Sequence, residues 1–184
     1  MTSKDNIVST SKFLSLVLRH QPQKIGLVLD EAGWVSVEQL LAKLAGAGKP
    51  LSMEGLKEVV ESNGKQRFGF SEDGLRIRAN QGHSIDVELG LATMIPPAVL
   101  YHGTASRFIA SVMTSGLDKR QRHHVHLTAD VAIAVSVGRR YGLPVVLLVD
   151  AAGMHGDGHT FYRSDNNVWL TDHVPVRYLK RQEP

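Results

Sequence analysis

Two adjacent prolines near the middle of the chain separate halves of different character. Met94-Ile95-Pro96-Pro97 cannot continue a helix, and such a segment is typical of a short, stiff connector. Residues 1–95 read as helices followed by a hairpin, whereas residues 96–184 alternate short strands with short helices. We therefore predict an α+β chain of two domains, 1–95 and 96–184.

The composition excludes several classes of protein. Because 42% of the 184 residues are hydrophobic, the chain can bury a core and is not disordered. No stretch approaches the roughly 18 uninterrupted apolar residues of a membrane span. The absence of cysteine excludes disulfides, thiolate zinc sites and a cysteine nucleophile, and it suits a reducing cytosol. We expect a cytoplasmic monomer with no membrane partner.

The excess of positive charge lies entirely in the second half. Residues 1–95 hold 11 Lys and Arg against 11 Asp and Glu, whereas residues 96–184 hold 10 against 7. Eight of those ten cations are Arg, the residue best suited to bidentate phosphate contacts. This pattern indicates a phosphate-bearing partner.

The first domain is predicted to contain three helices and a hairpin, which is the outline of a winged helix. Apolar residues predict the first helix over residues 8–19. Ser36 with Gln39 fits a capping box for the second helix, and Ser52 caps a third that ends at Asn63-Gly64.

The strands of the first domain are predicted from short alternating runs. Ile25–Leu29 reads as a short extended run. Arg67–Phe70 and Leu75–Arg78 alternate like strands, and Glu72-Asp73-Gly74 between them is a hairpin signal.

The second domain is predicted to be built on antiparallel sheet. Gly116 and Gly138 lie where helices near 105–114 and 129–138 should have their C-caps. Neither a Gly-x-Gly-x-x-Gly nor a Walker motif is present, so Rossmann and P-loop sites are not supported. The expected strands are Val99–His102, His124–Thr128, Pro144–Val149, Thr160–Tyr162, Val168–Thr171 and Val174–Leu179.

Cationic side chains stand out at three places. Arg19 and His20 close the first helix, where cations favour the helix dipole by about 0.3–1 kcal/mol each and where two donors can hold a phosphate. Arg67 begins the hairpin, and Arg139-Arg140 lie between glycines at a helix end. Taken singly, each is also typical of solvated surface charge.

Two histidine-containing motifs are candidate ligand sites. Tyr101-His102-Gly103-Thr104 ends an apolar strand in a donor, a glycine and a hydroxyl, which lets a ligand approach closely, although a plain strand and turn would look the same. His124 and His126 share one face of a predicted strand. No carboxylate lies beside them in the sequence, and we predict no metal site.

The chain offers no nucleophile of its own. No spacing of Ser, His and Asp supports a hydrolytic triad, and no pair of carboxylates suggests glycosidase chemistry. An excess of cationic donors without a nucleophile fits a reaction in which the substrate supplies the nucleophile, such as a phosphate.

Taken together and in order, the motifs resemble the NAD-dependent RNA 2′-phosphotransferases over nearly the whole chain. The matching segments are Leu18-Arg19-His20, Gly33-Trp34-Val35, Arg67-Phe68, Ile77-Arg78-Ala79, Gln81-Gly82-His83-Ser84, Tyr101-His102-Gly103-Thr104, Val125-His126-Leu127, Val137-Gly138 with Arg140 and Gly142, Phe161-Tyr162 and Val168-Trp169-Leu170.

The resemblance implies both a fold and a reaction. The fold is an N-terminal winged-helix lobe and a C-terminal ADP-ribosyltransferase-like lobe, with the active site in the cleft between them. In the reaction, an internal RNA 2′-phosphate displaces nicotinamide from NAD, which serves as co-substrate without a metal. The neighbouring ribose hydroxyl of the ADP-ribose then attacks the phosphorus, giving 2′-OH RNA and ADP-ribose 1″,2″-cyclic phosphate.

The resemblance also assigns roles to residues. The family's catalytic Arg-His-Arg-Arg set falls on Arg19, His20, Arg67 and Arg140. The residues implied to bind NAD are His102, Gly103, Thr104 and His126. The family spacing selects Arg140 rather than its neighbour Arg139, and Tyr141 stands where the family often has histidine.

Two other functions fit parts of the sequence. An ADP-ribosyltransferase could leave ADP-ribose on a nucleic acid end or on a protein, and analysis of the product separates it from a phosphotransferase. A winged-helix DNA-binding regulator with a small sensor domain would bind a specific duplex and would not consume NAD.

Overall fold

The computed structural model describes residues 4–62, 64 and 66–182. The chain divides into two compact units at Gly90 and Leu91, so that Met94–Pro97 lies within the second unit. Helices and small sheets occur in both units, and every pairing between the described strands is antiparallel. The predicted α+β class is confirmed.

Three helices form the helical part of the first unit. They are α1 (Lys4–Arg19), α2 (Val37–Gly46) and α3 (Met53–Glu61). The predicted caps are confirmed, because Ser36 Oγ accepts from the Gln39 N–H and Ser52 Oγ accepts from the Gly55 N–H, each at 3.1 Å. The helix end predicted at Asn63-Gly64 cannot be placed there, because α3 ends at Glu61 and Asn63 lies outside the described residues.

A three-stranded sheet completes the first unit. Its strands are β1 (Val35–Ser36), β2 (Phe68–Phe70) and β3 (Arg76–Ala79), in the order β1-β3-β2. The predicted hairpin is confirmed, with Phe68 opposite Ala79 and Phe70 opposite Ile77. Phe68 and Ile77 are buried in one core with the apolar faces of α1, α2 and α3.

One prediction for the first unit is wrong. The run Ile25–Leu29 is not a strand, because Pro22–Ile25 form a 3₁₀ turn and Gly26 follows with φ of 64°. Pro22 fixes a helical φ at the start of the turn, and glycine accepts the left-handed conformation that ends it. The strand that pairs with β3 lies further along the chain, at Val35–Ser36.

The second unit contains three helices and eight short strands among its described residues. The helices are α4 (Ile109–Ser115), α5 (Val131–Gly138) and α6 (Ala151–Gly156). The strands are β4 (Val99–Ala105), β5 (Leu117–Asp118), β6 (Val125–Leu127), β7 (Pro144–Asp150), β8 (Tyr162–Arg163), β9 (Trp169–Thr171), β10 (His173–Val174) and β11 (Leu179–Arg181).

Strand β4 connects the sheets of the second unit. It pairs with β7 in the order β11-β7-β4, while a second sheet has the order β6-β9-β8 and β10 pairs with β5. Tyr101 of β4 also exchanges backbone hydrogen bonds with Thr128, just after β6, at 2.7 and 3.0 Å. One apolar core contains residues of both sheets, among them Leu100, Leu147 and Trp169.

Helix α5 packs closely on β4. Asp130 caps the helix by accepting from the N–H groups of Ala132 and Ile133 at 2.7 and 3.3 Å. Gly116 is the C-cap of α4, as predicted, with φ of 81°. The same prediction for Gly138 is wrong, because it is the last helical residue of α5, with φ of −58°, and the chain continues into a 3₁₀ turn.

Two strand predictions in the second unit need correction. Val174–Leu179 is not one strand, since Pro175 has no N–H to donate and begins a 3₁₀ turn at Val176–Tyr178, after which β11 starts. The strand expected at Thr160–Tyr162 lies at Tyr162–Arg163. Helix α6 was not predicted, because it is short and two of its residues are glycine.

None of the helices in the described part of the chain combines the length and the apolar character needed to traverse a bilayer.

Candidate active site

Arg19 and Arg67 are brought together at the C-terminal end of α1. Arg19 is the last residue of the helix, and its Nη2 donates to the backbone carbonyl of Arg67 at 3.1 Å. Its guanidinium carbon also lies 5.9 Å from the centre of the Phe68 ring. The residue before β2 is thereby held against the end of the first helix.

The segment Asn80–Ser84 holds His20 against the same helix end. The Ser84 N–H donates to the Arg19 carbonyl at 2.9 Å, which satisfies a carbonyl left over at the end of the helix. The Ser84 hydroxyl lies 2.9 Å from His20 Nδ1. A Cβ at Gly82, where φ is 86°, would stand 3.6 Å from Arg19 Nη1.

Asn80 fixes the backbone that leads into Arg67. Its N–H donates to the Arg67 carbonyl at 2.9 Å, and its side-chain Nδ2 donates to the Gln66 carbonyl at 2.7 Å. Gln66 has φ of 41°, a left-handed conformation that a non-glycine residue adopts only when its surroundings hold it. Gly69 leaves room for Asn80, because a Cβ there would lie 2.9 Å from Asn80 Oδ1.

The first unit therefore brings the backbone of Arg67 to the helix end that carries Arg19 and His20. Arg19 and His20 are neighbours in the sequence and Arg67 lies 48 residues beyond Arg19, and hydrogen bonds from Asn80 and Ser84 link all three. Preorganised donors of this kind suit an anionic group such as a phosphate.

Replacing Ser84 by alanine isolates one of these contacts. The Ser84→Ala variant keeps the backbone bond to Arg19 but loses the hydroxyl beside His20. If His20 acts in the reaction that the resemblance implies, loss of a positioning hydrogen bond of about 0.5–1.5 kcal/mol corresponds to a decrease in kcat of roughly 2- to 12-fold. Steady-state assays at saturating substrates measure it, with Ser84→Thr, which keeps the hydroxyl, as the control. A parental kcat in Ser84→Ala would rule out a role for this contact.

Arg140 lies in the second unit, in a 3₁₀ turn at Arg139–Tyr141 that directly follows α5. The side chains of Arg139 and Arg140 are both exposed, and Gly142, with φ of 135°, turns the chain toward β7. The turn rests on α5, so the position of Arg140 depends on how α5 packs against β4.

His102 and His126 form a hydrogen-bonded pair in the second unit. His102 Nδ1 donates to the carbonyl of His126 at 3.0 Å, because a carbonyl can only accept. Arg122 Nη1 donates to His126 Nδ1 at 2.7 Å, so that nitrogen acts as the acceptor. Burial lowers the pKa of His102 below its ordinary value; the His126 carbonyl opposes the shift and Arg122 adds to it.

These contacts define the proton positions on His102. At neutral pH the lowered pKa leaves the ring uncharged, with its proton on Nδ1. Nε2 of that tautomer carries a lone pair and can accept a hydrogen bond from a ligand.

Gly103 and Thr104 lie within β4 rather than at its end. The strand continues to Ala105, so the prediction that it stops at His102 is wrong. A Cβ on Gly103 would stand 1.8 Å from the carbonyl oxygen of Ala134, so glycine is required for α5 to lie on the strand. A Cβ on Gly138 would likewise stand 2.5 Å from the Thr104 carbonyl.

The lowered pKa of His102 makes stability depend on pH. The unfolded chain takes up a proton near pH 6.5, whereas the folded chain does so only at lower pH. Stability should therefore decrease as the pH falls below about 6.5, by up to about 1.4 kcal/mol per pH unit for one proton. His102→Gln should flatten this dependence in denaturant titrations across that pH range. An unchanged slope would contradict the assignment.

The chain is similar to known proteins over nearly its whole length. A model of the family described as "RNA 2'-phosphotransferase, Tpt1 / KptA family" matches residues 5–173. A relative from Rhodopirellula baltica is 54% identical over 180 residues, covering 97% of this chain and 98% of the relative. One from Agrobacterium fabrum is 55% identical over 171 residues, covering 93% and 92%. Both are named "Probable RNA 2'-phosphotransferase".

A third relative, from Pseudomonas aeruginosa, bears the same name and is 55% identical over 172 residues, covering 93% of this chain and 94% of the relative. The chain belongs to the RNA 2′-phosphotransferase family. The resemblance inferred from the ordered motifs is confirmed, and the chain is an enzyme of the RNA 2′-phosphotransferase type.

In this RNA 2′-phosphotransferase, the surroundings of His124 and His126 differ in one respect from the sequence-based expectation that no carboxylate lies beside them. A carboxylate does lie beside His124, since its Nε2 is 4.0 Å from Asp172 Oδ1, a neighbour that the sequence does not reveal. Burial lowers the pKa of His124, and Asp172 partly opposes the shift. Among the described residues, no group of three or more His, Asp or Glu is arranged to hold a metal ion.

From the sequence alone, no role was assigned to three residues that hydrogen-bond to the candidate residues or to the backbone beside them. Ser84 belongs to the matching segment Gln81–Ser84 and Asn80 directly precedes that segment, so their place among the ordered motifs was the available signal. Arg122 carried no such signal, because its contact with His126 depends on the fold of the loop before β6.

Proposed function

We propose that this RNA 2′-phosphotransferase transfers the internal 2′-phosphate of an RNA to NAD in two steps. The products are RNA with a free 2′-OH, nicotinamide and ADP-ribose 1″,2″-cyclic phosphate. In this proposal the first unit is a winged-helix lobe and the second is an ADP-ribosyltransferase-like lobe that binds NAD. Three helices with an antiparallel three-stranded sheet support the first assignment.

In the first step, an oxygen of the RNA 2′-phosphate attacks the anomeric carbon of the nicotinamide ribose. The bond from that carbon to the nicotinamide nitrogen breaks, and nicotinamide leaves with the bonding electrons. The nucleophile is already an anion, so the step needs positioning more than a general base. Arg19 and Arg67 are the residues of the first unit that would position it.

In the second step, the neighbouring hydroxyl of the same ribose attacks the phosphorus. The attacking hydroxyl gives up its proton, the bond from phosphorus to the RNA 2′ oxygen breaks, and that oxygen takes up a proton, so the step neither consumes nor releases a proton overall. Negative charge concentrates on the phosphoryl oxygens, where preorganised Arg donors stabilise the transition state most. We assign this clamp to Arg19, Arg67 and Arg140.

His20 would donate to the phosphate or protonate the departing RNA oxygen. Its Nδ1 is engaged by the Ser84 hydroxyl at 2.9 Å. Contact with the substrate would therefore be made through Nε2. This assignment agrees with the expected loss of kcat in Ser84→Ala.

The residues of the second unit fit NAD by their chemistry. A neutral His102 with Nδ1–H bound to a carbonyl offers Nε2 as an acceptor for a ribose hydroxyl or the carboxamide of nicotinamide. We propose that His126 and Thr104 line the same site. Gly103 would contribute through its backbone and by allowing α5 to lie on β4.

The observation that carries the proposal is the convergence of Arg19, His20 and Arg67 on one framework. Such a set is suited to a phosphoryl group supplied by the substrate, and family membership identifies that substrate as RNA.

Release of nicotinamide tests the proposal. The protein is incubated with NAD and an oligonucleotide that carries one internal 2′-phosphate, and the same oligonucleotide with a 2′-OH is the control. We expect nicotinamide in proportion to the phosphorylated RNA and none above background from the control. ADP-ribose left on an RNA end or on a protein would favour an ADP-ribosyltransferase. Specific duplex binding without consumption of NAD would favour a DNA-binding regulator.

A further inference from the structure

A groove runs along the exposed side of α1, on the helix that carries Arg19 and His20. Its volume is about 580 Å³, and Lys49 closes it from the chain after α2. The remaining lining residues all belong to α1, and they are Val8, Ser9, Lys12, Phe13 and Leu16. None of these lining residues is acidic.

The groove lies on the same face of α1 as the candidate catalytic residues. Lys12, Leu16 and Arg19 follow one another at spacings of four and three, as do Phe13, Leu16 and His20 at three and four. The opposite face, with Leu14 and Leu18, is fully buried. From Lys12 to Arg19 the helix rises about 10 Å, so the groove leads toward the site along one surface.

The groove combines two chemical features that single-stranded nucleic acid requires. Phe13 and Leu16 are half-buried and offer apolar surface, while Lys12 and Lys49 are exposed cations. Lys49 Nζ lies 4.9 Å from the centre of the Phe13 ring. An aromatic ring flanked by lysines can take a stacked base together with its phosphates.

We propose that this groove binds the single-stranded RNA that flanks the 2′-phosphorylated nucleotide. Lys12 contacts a backbone phosphate, and Lys49 moves from the Phe13 ring to a second phosphate, which frees the ring face for stacking on a base. The inference rests on the proposed function for the identity of the phosphorylated nucleotide, but binding in the groove does not itself require the 2′-phosphate. The protein thereby gains affinity for RNA over a lone phosphorylated nucleotide.

The test compares RNAs of two lengths with the full chain. A short RNA holds the 2′-phosphorylated nucleotide and little else, and longer RNAs extend it on the 5′ or the 3′ side. Fluorescence polarisation gives Kd without NAD, and transfer assays give kcat/KM. We expect the Lys12→Ala/Lys49→Ala variant to bind one of the longer RNAs about tenfold more weakly than the parent does. In the same variant, the kcat/KM for that longer RNA should exceed the kcat/KM for the short RNA by a smaller factor than in the parent.

Salt dependence identifies the contacts as ionic. Two lost contacts to a single strand should reduce the slope of log Kd against log salt by about 1.4. Phe13→Leu should weaken binding by about fivefold or more through lost stacking and leave that slope unchanged. Lys12→Arg/Lys49→Arg keeps the charges and should bind like the parent.

Matched controls separate this site from general charge. Lys43 and Lys57 are also exposed but do not line the groove, so Lys43→Ala/Lys57→Ala should retain the affinity for the longer RNAs. Thermal unfolding checks that each variant is folded.

The proposal is overturned if the Lys12 and Lys49 double variant binds both lengths as the parent does. Equal losses for both lengths, or equal losses in the control variant, overturn it as well. A longer RNA with a 2′-OH should still show the lysine-dependent part of binding. If that binding is found but no transfer occurs, the proposed function fails and the groove remains an RNA site. If transfer occurs but binding of the longer RNA does not depend on the two lysines, the proposed function stands and the RNA-binding role of the groove is contradicted.

Discussion

The Arg140→Ala variant should accumulate RNA that carries ADP-ribose on its 2′-phosphate. In the proposed mechanism the second step concentrates negative charge on the phosphoryl oxygens, and one preorganised donor such as Arg140 would contribute about 2.7–4 kcal/mol there. We therefore expect the second step to slow by about 10²–10³-fold, with a smaller effect on the first. Gel separation of the modified RNA over time, together with nicotinamide release, measures the two steps separately.

Arg139→Ala is the matched control for this variant. Arg139 is exposed and lies in the same 3₁₀ turn, and family spacing assigns the role to Arg140. Arg140→Lys should recover only part of the rate, since lysine is a point charge without the planar fork of arginine. If Arg140→Ala runs both steps at the parental rate, or if Arg139→Ala accumulates the intermediate instead, the assignment is wrong.

The Gly103→Ala variant should lose a large part of its stability. A Cβ at this position would stand 1.8 Å from the Ala134 carbonyl oxygen, so α5 must move away from β4. Overpacking of this severity is expected to cost about 3 kcal/mol or more. For a chain of this size, that corresponds to a decrease in Tm of roughly 6–12 °C, measured by thermal unfolding.

Activity should fall together with stability in this variant, because the turn that carries Arg140 follows directly from α5. Gly156→Ala is the control. It adds a methyl group at the last residue of α6, where nothing lies within 4 Å, and its Tm should equal that of the parent or exceed it slightly. A Gly103→Ala protein with the parental Tm would contradict the observed packing of α5.

The elements with strong local signals could be predicted from the sequence. Ser36 and Ser52 cap their helices as expected, and the Glu72-Asp73-Gly74 turn joins β2 to β3. Each of these features is determined by side chains within a few residues, so no knowledge of the tertiary structure is needed.

Two of the failures have the opposite cause, because a distant part of the chain decides them. Gly138 reads as a helix stop but is glycine because the Thr104 carbonyl lies against it, and that neighbour is far away in sequence. Gly103 likewise follows a predicted strand end, whereas it lies within β4 and its missing Cβ makes room for α5. A close approach between distant elements leaves no local pattern to read.

In the candidate site, too, local motifs could be recognised from the sequence, whereas contacts between distant residues could not. The ordered motifs identified Arg19, His20 and Arg67 as candidates, but not the Ser84 and Asn80 contacts that hold them. Those contacts span more than a dozen residues and depend on the path of the chain after β3. Family resemblance could name the candidate residues, whereas the contacts that hold them could be seen only in the structure.

The fate of the phosphorus atom tests the central claim most directly. An RNA labelled with ³²P in its internal 2′-phosphate is incubated with the protein and NAD, and the labelled products are separated. We predict that the label leaves the RNA and appears in a cyclic phosphate of ADP-ribose, with one nicotinamide released for each phosphorus transferred. Label that stays on the RNA at completion, or that is released as inorganic phosphate without consumption of NAD, would contradict the account.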